Sequence, residues 1–121
     1  MLYVDGFLLP VPKKKLGEYQ KMAVKGGKIW KKHGALGYFE CAADDIGQKW
    51  STIKFPKAAK AKPSETVIFS FIIYKSKAHR DAVNKRVMSD PSMGPEQWKD
   101  KPLPFDMKRM AVGGFKVIVQ Y

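Results

Sequence analysis

The chain has 121 residues and a mass of 13.7 kDa, enough for one domain around one core and too little for two. Apolar residues make up 45% and aromatics 12%, which excludes a disordered chain, and no apolar run approaches the ~20 residues a membrane helix needs. Lys and Arg outnumber Asp and Glu by 23 to 11, a formal charge of +12 that attracts polyanions without selecting one.

Tyr3 to Leu9 alternates, with Tyr3, Asp5, Phe7 and Leu9 on one face and Val4, Gly6 and Leu8 on the other, which predicts a strand ended by Pro10 and Pro12. From Lys13 to His33 the period changes. Leu16, Tyr19, Ala23 and Trp30 form one stripe, and lysines fill the opposite side, so an amphipathic helix with a basic outer face is expected. Gly26-Gly27 interrupts it, which calls for a bend or a close backbone approach, and Gly34 is a stop signal. Ala35 to Ala43 reads as a second strand. Residues 46–65 are the least regular, with Trp50 to Phe55 as a candidate edge strand before Pro56.

Thr66 to Tyr74 is nearly all β-branched or aromatic and apolar on both faces, which predicts a central strand. Ser76 is placed to cap a second helix reaching about Ser89, ended by Asp90-Pro91. Residues 91–104 read as a loop with a helical turn near Glu96–Trp98. Phe105 to Tyr121 reads as a closing strand, with a bulge or close approach at Gly113-Gly114. The order β-α-β-β-α-β over residues 1–121 predicts one α+β, ferredoxin-like domain, an antiparallel sheet with two helices on one face. A sheet apolar on both faces but covered on one predicts a homodimer, the second copy supplying the cover.

The stretches YVDGFLLPVPKKKL (3–16), WKKHGALGYFEC (30–41), AKAKPSETVIFSF (59–71), AHRDAVNKRVMSDPSM (78–93) and PFDMKRMAVGGF (104–115) resemble the YbaA-like family. These are small bacterial proteins of unknown function in the dimeric α/β-barrel superfamily. The resemblance implies a ferredoxin-like protomer whose sheet packs on its twin to form a barrel. It implies no particular activity, although the wider superfamily includes cofactor-free monooxygenases, heme-degrading enzymes and isomerases.

Three polar residues interrupt apolar runs on the strands: Asp5, Glu40 and Arg109. Facing inward, they must pair. They form either an ionic lock or a pocket with an ionisable pair, lined by Tyr3, Trp30, Tyr38 and His79. One of only three arginines, Arg109 calls for a fixed carboxylate partner, with Asp5 and Glu40 ranked ahead of Asp106. Cys41 reads as a buried strand residue, and with His33 and His79 it offers one soft ligand per element, so no metal or other cofactor is expected. Lys21, Lys25, Lys28 and Lys32 share a helix face, and Lys54, Lys57 and Lys60 extend the basic surface. The expected function is the binding or transformation of a small organic molecule in a cavity between sheet and helices, in the cytoplasm and away from membranes. The alternatives are an RNA- or polyanion-binding protein and a cofactor-free monooxygenase or isomerase.

Overall fold

The structure, a computed structural model, describes residues 1–94 and 102–121. It is an α+β fold with a four-stranded antiparallel sheet and three helices. The strands are β1 (Tyr3–Pro12), β2 (Gly37–Ala42), β3 (Glu65–Tyr74) and β4 (Ala111–Lys116), and the helices are α1 (Leu16–Lys32), α2 (Phe55–Ala58) and α3 (Lys77–Met88). The sheet order is β2-β3-β1-β4, so the apolar strand β3 lies inside the sheet, as its composition predicts.

The pairing β1–β3 aligns Leu9 with Ile68, Phe7 with Ser70, Asp5 with Ile72 and Tyr3 with Tyr74. These residues share the face on which α1 and α3 pack. Tyr19 and Ala23 of α1 cluster with Leu9, Val11 and Ile68, while Val83 and Val87 of α3 cluster with Ile72 and Tyr74. Ser76 caps α3 by accepting from the His79 backbone N–H at 3.1 Å. At the end of α1, Gly34 takes a φ of +109°, a conformation glycine adopts without steric cost.

The opposite face is apolar and open. Phe39, Phe69 and Phe115 are 47%, 49% and 63% exposed, and Phe39 stacks on Phe71 at 4.9 Å between centroids. Helix α2 packs against β3 at one corner of the sheet, where Val67 and Ala59 are buried.

Several expectations are corrected. Strand β1 runs through Pro10 to Pro12 rather than ending before them. Lys13 N–H bonds to Ser64 O on the β3 side, so the even-numbered positions face β4. The β4 ladder stops at the Leu8–Ala111 pair, leaving no partner for a proline to disappoint. Trp50 to Phe55 forms no strand. Pro56 instead sits in the first turn of the short helix α2. The closing strand covers only Ala111–Lys116, after a 3-10 turn at Met107–Arg109. Its partner β1 begins at Tyr3, opposite Lys116, so residues 117–121 have little strand left to pair with. Gly113 and Gly114 stay in regular register opposite Gly6 and Asp5, so of the bulge or close approach expected there the structure shows the close approach, the Tyr3 ring lying against Gly114. Cys41 is exposed on the open face rather than buried. The helical turn expected near Glu96–Trp98 lies outside the described residues.

Candidate functional site

Glu40 occupies the helix-facing side of β2, opposite Ser70 of β3. Its Oε1 accepts from Tyr19 Oη at 2.8 Å and its Oε2 from Tyr38 Oη at 2.9 Å. Three features of α1 and β2 build this arrangement. Tyr19 comes from the inner face of α1, and Tyr38 lies two residues before Glu40 on the same side of β2. The third contribution is Gly26-Gly27. A Cβ at Gly26 would lie 3.0 Å from Tyr38 Oη and one at Gly27 3.0 Å from Tyr38 Cδ1. The glycine pair, unfavourable for helix formation by about 1 kcal/mol per residue, therefore gives the Tyr38 ring its seat against α1. Of the two outcomes expected there, the structure shows the close approach.

Burial first, and then the charge and hydrogen bond of Glu40, push the pKa values of Tyr19 and Tyr38 well above the ordinary phenol value. Both hydroxyls stay protonated at neutral pH and act as donors to the carboxylate, which keeps acceptor capacity for a further donor. Glu40, Tyr19 and Tyr38 edge a cavity of about 440 Å³ between the sheet and α1. The rest of its lining is mostly apolar, including Leu9, Ile72, Phe105 and Met110, with Ser70 on its sheet floor. Phe105 meets Tyr19 edge-on at 5.8 Å. An apolar cavity with a few convergent polar groups is the general form of a small-molecule site.

The structure brings some of the expected site residues together and separates others. Trp30, Tyr38 and Glu40 line this cavity, and Asp5 lines an adjoining one that also includes Trp30. Tyr3 lies beside Asp5's neighbour Arg80, its hydroxyl accepting from Arg80 Nη2 at 3.3 Å. His79 is outside the cavities. Its Nδ1 accepts from Lys75 N–H at 2.9 Å, and its ring packs edge-on against Tyr74.

Arg109 is also elsewhere, and its expected pairing with Asp5 or Glu40 is corrected. It grips Glu65 at the start of β3, with further bonds to Asp106 Oδ2 and Lys60 O. A strand-based search passes over Glu65 because it precedes the apolar run. Arg80 and Asn84 were missed as well. Their signal is their helical phase, since they sit at i and i+4 beside the buried Val83 and Val87.

Lys21, Lys25, Lys28 and Lys32 are exposed along α1, and Lys57 and Lys60 are exposed too. Lys32 pairs with Asp90 at 3.3 Å. Lys54 does not belong to that surface, because its Nζ is buried. Among the described residues, no group of three or more His, Cys, Asp or Glu could hold a metal ion, and no helix is long and apolar enough to cross a membrane.

Residues 2–107 match a family model described as "Protein of unknown function (DUF1428)". The chain is 44% identical over 119 residues to "Uncharacterized protein YbaA" of Escherichia coli (strain K12), an alignment that covers 98% of each chain. The protein of that name from Shigella flexneri matches to the same extent. A solved structure of a de novo designed protein, Foldit4, aligns over 99% of this chain at 11% identity and a TM-score of 0.43.

Proposed function

The chain belongs to the DUF1428 family of proteins of unknown function, and within it we propose a protein that binds a small, largely apolar organic molecule between sheet and helices. The observation that carries this reading is Glu40, a carboxylate oriented by two tyrosine hydroxyls at the edge of an apolar cavity of about 440 Å³. Such a group selects a ligand that brings a hydroxyl or N–H donor, because a charge-assisted hydrogen bond here replaces one to water. With both tyrosines held protonated, Glu40 is also the group placed to take a proton from a bound ligand, which is where isomerase- or oxygenase-type chemistry would begin.

The assembly we propose is a homodimer of ferredoxin-like protomers joined through their open sheet faces in a dimeric α/β barrel. The observation that supports it is that Phe39, Phe69 and Phe115 lie about half exposed or more on that face. A second copy supplies a matching apolar surface. The lysines of α1 add a non-specific attraction for polyanions that weakens with salt.

A fragment screen by ligand-observed NMR tests the cavity. Aromatic hydroxyl compounds should bind, and Ser70→Phe, which fills the floor, should abolish their binding without unfolding the protein. Hits that bind Ser70→Phe equally well would place them elsewhere and overturn the reading.

A further inference from the structure

A second chamber, of about 330 Å³, shares Phe7, Trp30, Ile72 and Met88 with the Glu40 cavity. Asp5 reaches it from the middle of the sheet, with 8% of its side chain exposed. Arg80 Nη1 stands 3.5 Å from Asp5 Oδ1, long for a charge-assisted pair, which closes to about 2.7–2.9 Å when satisfied. Arg80 itself is short of acceptors. Its Nη2 bonds to Tyr3 Oη, and its Nε is buried without a hydrogen bond among the described residues. Asp81 Oδ1 lies 3.1 Å from that Nε, within ion-pair range but off the N–H axis.

Asn84 adds an oriented donor. Its Oδ1 accepts from Trp30 Nε1 at 3.1 Å and from Tyr74 Oη at 3.2 Å. The Trp30 indole N–H can only donate, which settles which end of the amide is which and leaves the NH2 group to meet a ligand. On the far side the wall is bare backbone, Gly113 and Gly114. A Cβ at Gly114 would run into the Tyr3 ring, which lies 5.0 Å from the Arg80 guanidinium.

The Arg80 guanidinium, with a buried N–H left unbonded among the described residues and Asp5 at 3.5 Å, is costly to bury unless a third group completes it. The completing group brings an N–H for Asp5 directly beside an oxygen for Arg80 and Asn84. A carboxylate ligand brings no donor and meets the charge of Asp5, while an amine brings no acceptor and meets that of Arg80. We infer that this chamber takes the edge of a carboxamide, lactam or ureide, with the ligand's apolar body running past Trp30 toward Glu40. The inference rests on the reading of the Glu40 cavity as a ligand site.

Three probes share one body and differ at this edge: 2-naphthamide, 2-naphthoate and methyl 2-naphthoate. Titrated calorimetrically into the full-length protein, the amide should bind at least tenfold more tightly than the other two. Asp5→Asn and Asn84→Leu should each bring the amide down to the level of the ester, while binding of 2-naphthol, which addresses Glu40, holds. Equal affinities for the three probes overturn the chamber assignment, and this wild-type comparison decides without any variant. A preference that survives both substitutions overturns it as well, and in both cases the Glu40 cavity stands. If no naphthyl compound binds, 2-naphthol included, the cavity reading falls and the chamber with it.

Discussion

Arg109 holds Glu65 through two parallel hydrogen bonds, Nη1 to Oε1 and Nη2 to Oε2, both 2.7 Å long. The fork ties the turn before β4 to the first residue of β3, and only 5% of the Glu65 side chain is exposed. A guanidinium matches a carboxylate in this way and an ammonium does not. Arg109→Ala should therefore lower the urea midpoint clearly, and Arg109→Lys should recover only part of the loss. Lys25→Ala, on the exposed face of α1, should change stability by under about 0.5 kcal/mol. Denaturation of all variants at one protein concentration checks this, and the expected order is wild type, Lys25→Ala, Arg109→Lys, Arg109→Ala.

The same fork sets an acid response. The hydrogen bonds from Arg109, acting against the cost of burial, lower the Glu65 pKa from 4.5 to about 2 in the folded protein. A carboxyl with a lowered folded-state pKa stabilises the fold fully above its unfolded value, and that stability is lost as the pH falls toward the folded value. Stability should therefore fall between pH 4.5 and about 2. Asp90, held below its usual range chiefly by His33 and by the Ser92 backbone N–H, contributes a slope of the same sign. The difference between wild type and Glu65→Gln isolates the Glu65 part, and it should shrink across this window.

Gly27 is the position where the helix and the site meet. Gly27→Val puts a branched side chain where a Cβ alone already lies 3.0 Å from the Tyr38 ring. Overpacking of this kind costs about 1–3 kcal/mol. The displaced ring should release its bond to Glu40, so ligand affinity should fall along with the melting temperature. A variant with wild-type melting and wild-type ligand affinity would show that Tyr38 does not depend on this seat.

The open sheet face should bring two chains together. Light scattering after size exclusion should give twice 13.7 kDa, and Phe69→Lys should return the protein to one chain while far-UV circular dichroism stays unchanged. A wild-type monomer at micromolar concentration would remove the dimer from the account.

Much of this architecture is legible in the sequence because period and composition act locally. The apolar run of Thr66 to Tyr74 could only be an inner strand, and Ser76 sits where a helix cap must. Pairings across the chain are not legible in that way. Arg109 was recognisable as a residue in need of a carboxylate, but the partner depended on where the turn before β4 falls relative to β3. Glu40 was recognisable as a polar interruption on a strand, and the glycine pair as a close approach. That the approaching group is Tyr38, and that it delivers its hydroxyl to Glu40, follows only from the packing of α1 on β2. Arg80 and Asn84 were hidden because an inward polar residue on a helix has the spacing of an ordinary core position.

Titration of 2-naphthol into 15N-labelled protein reads the Glu40 cavity residue by residue. Saturable shifts are expected at Tyr38, Glu40, Ser70 and the Trp30 indole, with an affinity about tenfold weaker in Glu40→Gln, the loss of one charge-assisted hydrogen bond. Shifts confined to the open sheet face, or an affinity indifferent to Glu40→Gln, would contradict the reading of that cavity as a ligand site.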